Sequence, residues 1–519
     1  MGRLLRGAAV AAVVAFGAPT MASAQAAPAT AMTVRADEPG PHINRQVFGQ
    51  FAEHLGHGIY GGIWVGEKSS IPNIHGYRKD VLEALRELKV PVVRWPGGCF
   101  ADEYHWRDGI GPAAKRPVKV NTHWGGVTEP NSFGTHEFMG FVDLLGAEPY
   151  VAGNVGDAPA REMAEWVEYM TSPTGSTLAK ERAANGHPAP WKVPYFGIGN
   201  ELWGCGGNMR PEYAADVTRR YGTFVKSPAG QHIMKIASGA NVDDYRWTEV
   251  MMREAGRDID GISLHYYTFP GDWEHKGSAT QFDERGWAST LSHTLRMDEL
   301  LTKHSAIMDR YDPQKRVWLV VDEWGTWYDV EPGANPGFLY QQNTLRDALV
   351  AAVNINIFAK HADRVRMAAI AQMVNVLQAM LLTDGPRMVR TPTYWVFDLY
   401  KPWQDATDLP VELSSPKYVK DEFDMPAVNA SAVRDSAGQV HIALANLDPN
   451  KPATVDARLA GITATTASGQ IITAQAMNAR NTFDRPDAVR PAAFNGASVK
   501  GDTLTATLPP KSVVVLDLR

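Results

Sequence analysis

From about residue 45 to residue 400, short apolar runs alternate with helical patterns. The runs are VFGQFAEH (47–54), VPVVRWPG (90–97), EPYVAGNVG (148–156), YFGIGNE (195–201), IMKIASGAN (233–241), DGISLHYY (260–267), VWLVVDEW (317–324) and AAIAQMVNV (368–376). Several are nearly continuous in Val, Ile and Leu, the pattern of strands buried on both faces. Between them, Val81, Leu82, Leu85 and Leu88 recur at spacings of three and four, which predicts an amphipathic helix over 80–89. Similar faces occur at 163–167, 215–225 and 345–359. Eight strands alternating with helices predict an α/β fold, a (β/α)8 TIM barrel over 45–404. A doubly wound sheet is the rival, but its glycine-rich phosphate turn is missing. The nearest candidate, Gly197-Ile-Gly199-Asn-Glu-Leu202, lacks the third glycine.

After about residue 405 the period changes to two. VHIALANLD (440–448), ATVDARL (453–459), GQIITAQAM (469–477), DTLTATL (502–508) and SVVVLDLR (512–519) alternate apolar with polar residues between turn formers. They predict a C-terminal antiparallel β-sandwich domain over 405–519. The stretch TVRADEP (33–39), within a segment 25–44, has strand composition and is expected to add an edge strand to it.

Composition narrows the partners. The 519 residues carry a net charge of −6 and no basic stripe, so nucleic acid is excluded as a partner. Arg3 and Arg6, an apolar run from Ala8 to Phe16 and the small residues Ala22-Ser23-Ala24 read as a cleaved signal peptide over 1–24. The expectation is a secreted or periplasmic protein with no membrane span. Two cysteines, Cys99 and Cys205, suggest one disulfide in such a protein.

In a barrel of this kind, chemistry gathers where strands end. Those ends deliver Glu53-His54, Arg94, Asn154, Asn200-Glu201-Leu202-Trp203, His265, Tyr267, Asp322-Glu323-Trp324 with Trp327, and Gln372 with Asn375. Glu201 and Glu323 stand out: each follows a hydrophobic run and precedes a tryptophan. Two carboxyls at a low-dielectric mouth do not readily both ionise, so one keeps a proton. A neutral acid beside a charged carboxylate is what glycoside hydrolysis needs. Other readings of single residues stay open. Glutamates at strand ends also cap helices or pair with arginine. Glu53 suits a substrate contact or a salt bridge, Arg94 suits a partner for these acids, and His265 and Tyr267 suit satisfied barrel polar groups. Glu53-His54-Leu-Gly-His57 is not a zinc motif, and no Gly-x-Ser-x-Gly elbow occurs, so neither metal nor cofactor is expected.

Taken together, Phe51-Ala-Glu53-His54-Leu55-Gly56, Tyr60-Gly-Gly-Ile-Trp64, Arg94-Trp-Pro-Gly-Gly98, Tyr104-His-Trp106-Arg-Asp108-Gly-Ile-Gly-Pro112, Gly199-Asn200-Glu201-Leu-Trp-Gly204, Ser263-Leu-His265-Tyr-Tyr267, Asp322-Glu323-Trp324 and Ala371-Gln372-Met-Val-Asn375 resemble glycoside hydrolase family 51. The likeness runs from about residue 45 to the C-terminus, and the family's members are chiefly α-L-arabinofuranosidases. It implies a retaining, exo-acting double displacement on arabinose-containing plant polysaccharides such as arabinoxylan or arabinan. Glu201 would be the acid/base and Glu323 the nucleophile. Glu53, Asn200, Tyr267, Trp327 and Gln372 would surround the sugar, with Arg94 and His265 in support. Relatives are often oligomers, which makes a homo-oligomer a further expectation. Some relatives carry Asn where this chain has Cys99. Cys99 follows the second strand and Cys205 lies just past Glu201, and barrel geometry opens both loops on one face. A Cys99–Cys205 disulfide at the pocket rim is therefore expected. An endo-acting glycanase or other furanosidase, and a non-catalytic carbohydrate-binding protein, are the alternatives.

Overall fold

The computed structural model describes residue 2 and residues 30–173 and 175–519. Eight parallel strands close a barrel: β1 (Gly49–Phe51), β2 (Val92–Trp95), β3 (Glu148–Gly153), β4 (Tyr195–Ile198), β5 (Met234–Asn241), β6 (Gly261–Thr268), β7 (Trp318–Thr326) and β8 (Val365–Ile370). Each pairs with its neighbour in sequence, and β8 returns to β1. The barrel is a packed core, not a pore. Val92, Tyr150, Tyr195, Ile236, Val320 and Met367 pack against one another across its interior. That plug fills the barrel beneath its C-terminal mouth.

The apolar runs mark β2, β5, β6 and β7 within two residues at either end, and those of β3 and β4 start on the strand's first residue but overrun its end by three. β8 begins three residues earlier than its run, because Arg366 interrupts the apolar pattern without ending the strand. The predicted helices form as Lys79–Glu87, Ala160–Thr171, Pro211–Gly222 and Leu345–Lys360. The last is apolar on nearly every side for a reason. All residues from Leu345 to Ala359 are buried. On the sandwich side, Asn356 donates to Asn429 at 2.7 Å and accepts from the Ser431 hydroxyl at 2.6 Å. The helix thus ties the two parts of the molecule together.

The C-terminal sheets have five and six strands, ordered Val411–Ser414, Thr30–Arg35, Ala453–Ala460, Thr503–Leu508, Ala497–Lys500 and Thr407–Asp408, Val428–Arg434, Val440–Asn446, Ser512–Leu518, Ala467–Ile472, Ala492–Phe494. Their inward residues form a separate core that includes Val34, Leu444, Val455 and Leu504. The early strand departs from expectation. Thr30–Arg35 is not an edge strand but lies inside its sheet, antiparallel to Val411–Ser414 and parallel to Ala453–Ala460. Its alternating burial, with Met32 and Val34 inward, fits a position with hydrogen-bonded neighbours on both sides.

Candidate active site

Local irregularity in the barrel aims the chemistry. Register slips between Ser263 and His265 on the β6–β7 pairing, and between Val321 and Trp324 on the β7–β8 pairing. A regular strand sends neighbours to opposite faces; a bulge lets two consecutive side chains share one. Asp322 and Glu323 accordingly both reach the barrel mouth, and both meet Arg94. Trp324 is sent the other way, fully buried against Phe358 and Phe397.

Glu323 accepts from Arg94 Nη1 at 2.8 Å and from the Tyr267 hydroxyl at 2.7 Å. Arg94 Nη2 also donates to Asn200 Oδ1 at 2.5 Å, so one guanidinium joins β2 to the ends of β4 and β7. Across the mouth, Glu201 Oε1 lies 2.8 Å from His265 Nδ1, and His265 Nε2 lies 3.2 Å from Asp322 Oδ1. The same Nδ1 stands 3.5 Å from Glu323 Oε2. A Glu201 oxygen lies within 4.8 Å of a Glu323 oxygen.

Glu53 closes another side. Its Oε1 accepts from the Gly98 and Phe100 amides and the Trp124 indole at 2.9, 3.1 and 2.9 Å, and its Oε2 from Gln372 at 3.0 Å. Gly97 and Gly98 have a physical reason here. A Cβ at Gly97 would stand 2.7 Å from Glu53 Cγ, and one at Gly98 would stand 2.8 Å from Glu323 Oε1. The cysteines are joined, Cys99 to Cys205, with Cys205 Sγ 3.6 Å from Glu201 Oε2.

Burial and charge set the protonation pattern. Burial pulls the His265 imidazole down, but Glu323, Asp322 and Glu201 outweigh it and lift His265 to about 10. Burial likewise raises Asp322, yet Arg94, His265 and Tyr150 hold it below the usual carboxylate range. Glu201 is raised, first by burial and then by the Glu323 charge. Burial and the same charge lift Glu53 to about 7 against its hydrogen bonds. Arg94 bonds Glu323 and not Glu201, so of this pair Glu201 is the carboxyl that keeps a proton.

Glu53, Glu201, Tyr267, Glu323 and Gln372 line a cavity of about 620 Å³, with Leu55, Trp124, Trp203, Trp273, Trp327 and Leu377 among its walls. Trp327 meets the Tyr267 ring edge-on at 4.9 Å. A wider cleft of about 760 Å³ at Arg45, Lys401, Asp405 and Asp517 holds none of the predicted site residues. The residues given catalytic, sugar-binding, supporting or disulfide roles converge on one mouth: Glu53, Arg94, Asn200, Glu201, His265, Tyr267, Glu323, Trp327, Gln372 and the two cysteines. The strand-end candidates His54, Asn154 and Asn375 do not: His54 bonds Glu129, Asn154 bonds Asp157, and Asn375 bonds Thr383. Asp322, Tyr150 and Trp124 join the mouth without having been singled out. Asp322 was visible only as the neighbour of Glu323. Tyr150 sits inside a continuous apolar run, and Trp124 in a loop with no period. Glu201, His265 and Glu323 bring three donor atoms within 4.8 Å of one another, close enough for a divalent ion. Each already has a protein partner, so the cluster is complete as a hydrogen-bonded network.

A barrel mouth with paired carboxyls in an aromatic pocket defines a glycoside hydrolase. Residues 84–285 match the α-L-arabinofuranosidase 1 domain, and residues 322–512 match the α-L-arabinofuranosidase C-terminal domain. An intracellular exo-α-L-arabinofuranosidase from Bacteroides ovatus is 52% identical over 94% of this chain and 95% of its own. The crystal structure of a family 51 arabinofuranosidase from Xanthomonas axonopodis pv. citri is 64% identical over 95% of this chain and 100% of that one, with a TM-score of 0.94. An α-L-arabinofuranosidase from Thermotoga maritima, solved with arabinose, is 30% identical over 94% of this chain and 99% of its own, at a TM-score of 0.83. The chain belongs to glycoside hydrolase family 51, the α-L-arabinofuranosidases, and its substrates are arabinose-containing glycans.

One expectation is overturned. The Bacteroides ovatus relative is named as intracellular, which contradicts the secreted or periplasmic location and the signal peptide behind it. That reading stood on the composition of residues 1–24, which apart from residue 2 lie outside the described residues. A basic and then apolar opening is a compositional pattern, and by itself it fixes no address. Among the described residues, no helix is long and apolar enough to cross a membrane.

Proposed function

We propose that this arabinofuranosidase is exo-acting and retaining, and releases terminal arabinofuranosyl units from arabinoxylan, arabinan or derived oligosaccharides by double displacement. The observation that carries this reading is the narrow gap between Glu201 and Glu323, whose nearest oxygens lie within 4.8 Å. Retaining enzymes hold their carboxyls about 5–5.5 Å apart, whereas inverting ones need roughly 6.5–9.5 Å to admit a water.

Glu323 is the nucleophile. Arg94 and Tyr267 donate to its two oxygens and fix the carboxylate plane. Glu201 is the acid, and its proton sits on Oε2, because Oε1 accepts from His265. As Glu323 bonds the anomeric carbon, Oε2–H passes its proton to the departing oxygen. Glu201, now a carboxylate, then takes a proton from water as that water displaces Glu323. Glu53, Asn200 and Gln372 bind furanose hydroxyls, and Trp327 forms a wall. Trp203 donates its indole N–H to the Gly239 carbonyl at 3.2 Å and turns its ring to the cavity. It adds to the apolar surroundings that keep Glu201 protonated.

Proton NMR of the first product from an aryl α-L-arabinofuranoside tests this directly. The α-anomer should appear before mutarotation; the β-anomer as first product would end the retaining reading. A panel of aryl arabinofuranoside, arabinopyranoside, xyloside and glucoside separates it from other furanosidases and glycanases.

A further inference from the structure

Asp102, beside the site, is a buried acid that the proposed reaction leaves unused. Asp102 lies in a 3-10 turn, Cys99–Glu103, directly after β2, and is 4% exposed. It makes no ion pair among the described residues. Its Oδ1 accepts the amides of Val155 and Gly156, beyond β3, at 2.7 and 3.0 Å. Its Oδ2 accepts the amide of Asn200, beyond β4, at 2.7 Å. One carboxyl therefore staples three consecutive strand-to-helix loops, and the last is the loop that carries Glu201.

That loop needs holding. Gly199 has φ +73°, and Glu201 itself has φ +42°, in the left-handed region where a side chain with a Cβ is strained. A strained backbone persists only where its surroundings over-determine it. Arg94 and His265 hold the Asn200 and Glu201 side chains, and the Gly153 carbonyl accepts from the Gly199 amide at 3.1 Å. Among the described residues the side chains that grip the backbone of the turn are Asp102 on the Asn200 amide and the Ser238 hydroxyl on the Leu202 amide at 3.1 Å, with the Cys99–Cys205 bridge beyond them. Space is equally tight. A Cβ at Gly206 would meet Asp102 Oδ2 at 2.8 Å, and one at Gly156 would meet Asp102 Cβ at 2.9 Å.

We propose that Asp102 is a positioning residue for Glu201: it holds the Gly199–Glu201 turn in the conformation that aims the Glu201 carboxyl across the pocket at Glu323. The proposal rests on the reading of Glu201 as the acid/base. Without this acceptor, the turn relaxes toward negative φ and swings Glu201 off the line of the departing oxygen. Glu323 stays in place, because Arg94 and Tyr267 hold it from other strands. The consequence is selective. Steps that need a proton moved by Glu201 slow, and attack by Glu323 does not.

Asp102→Asn tests this, because the amide keeps the volume but turns one N–H toward a backbone N–H whichever way it faces. With a dinitrophenyl arabinofuranoside, whose aglycone leaves without protonation, the glycosyl-enzyme should form within about threefold of the wild-type rate. Its hydrolysis should be slow and accelerated by azide. With an oligosaccharide, kcat should fall about 100-fold with little change in KM. Equal losses on both substrates, with no azide effect, would leave Asp102 a merely structural residue and overturn the proposal. Glu201→Ala is run in parallel. If it too lacks leaving-group dependence, the acid/base reading itself fails and takes this inference with it. Asp102→Ser, which retains an acceptor oxygen, guards against misfolding. Failure of both Asp102 variants to fold would assign the residue to the fold alone and also overturn the proposal.

Discussion

The Tyr267 hydroxyl donates to Glu323 Oε2 at 2.7 Å, and this bond fixes which lone pair of Glu323 is free to attack. Burial, then the Glu323 charge, raises the phenol well above its usual range, so it remains a donor at every working pH. Tyr267→Phe should lower kcat about 10- to 100-fold while folding stability changes by about 1 kcal/mol or less. Steady-state kinetics beside a urea melt check both numbers. A variant with wild-type kcat would remove Tyr267 from the chemistry.

Glu323→Ala should abolish turnover. Glu201→Ala should keep most of its activity on aryl substrates with good leaving groups and lose about 10²- to 10⁴-fold on poor ones. A Brønsted plot of kcat/KM against leaving-group pKa reads the difference. A flat plot for Glu201→Ala, parallel to wild type, would reverse the role assignment.

The basic limb of the pH profile should report Glu201, because activity is lost as that carboxyl gives up its proton. His265, by its hydrogen bond and its charge, draws Glu201 down from where burial and Glu323 would leave it. Replacing His265 with Asn removes that pull, so Glu201 should hold its proton to higher pH and the basic limb should move upward. A downward move would show that His265 does not act as a cation beside Glu201.

Glu53 sets a stability trade. Its folded pKa of about 7 lies above its ordinary value of 4.5. The folded state therefore binds a proton that the unfolded chain has released. This stability is fully present below about pH 4.5 and is lost as pH climbs through 7. Glu53→Gln is neutral throughout, and the Gln372 carbonyl oxygen, buried without a partner, can turn to accept from the new amide. At pH 8 the variant should gain on the order of 1–3 kcal/mol over wild type while KM rises. Denaturant melts at pH 4.5 and 8 measure the difference; no gain at pH 8 would mean that Glu53 is ionised at no cost.

The Cys99–Cys205 bridge spans 106 residues. Reducing it, or changing both cysteines to Ala, should cost about 2–5 kcal/mol of unfolding free energy. Melts with and without a thiol reductant, alongside a thiol titration, give that figure. Two titratable thiols in the unreduced folded protein would count against the bridge.

Much of this site was legible because barrels export chemistry at strand ends, and Arg94, Glu201, His265, Tyr267 and Glu323 all sit directly after or within buried runs. What was hidden has physical causes. The bulge on β7 turns Asp322 and Glu323 to one face, and no alternation of residue types announces a bulge. The tryptophans after Glu201 and Glu323 looked equivalent in sequence, yet Trp203 faces the cavity and Trp324 the helical layer. Asp102 belongs to a turn, where periodicity carries no information, and its partners are backbone amides with no sequence signature at all. The interior position of Thr30–Arg35 was equally silent, since a strand's own residues do not record which neighbours flank it.

That strand has a bearing on how the chain matures. Thr30–Arg35 leaves the ribosome long before either of its partners, Val411–Ser414 and Ala453–Ala460. It must wait, with both backbone edges unclaimed, while the whole barrel is synthesised. A fragment cut at the apparent boundary between barrel and sandwich would strand it on the wrong side, so the two parts are neighbours in space but not separable pieces of the gene.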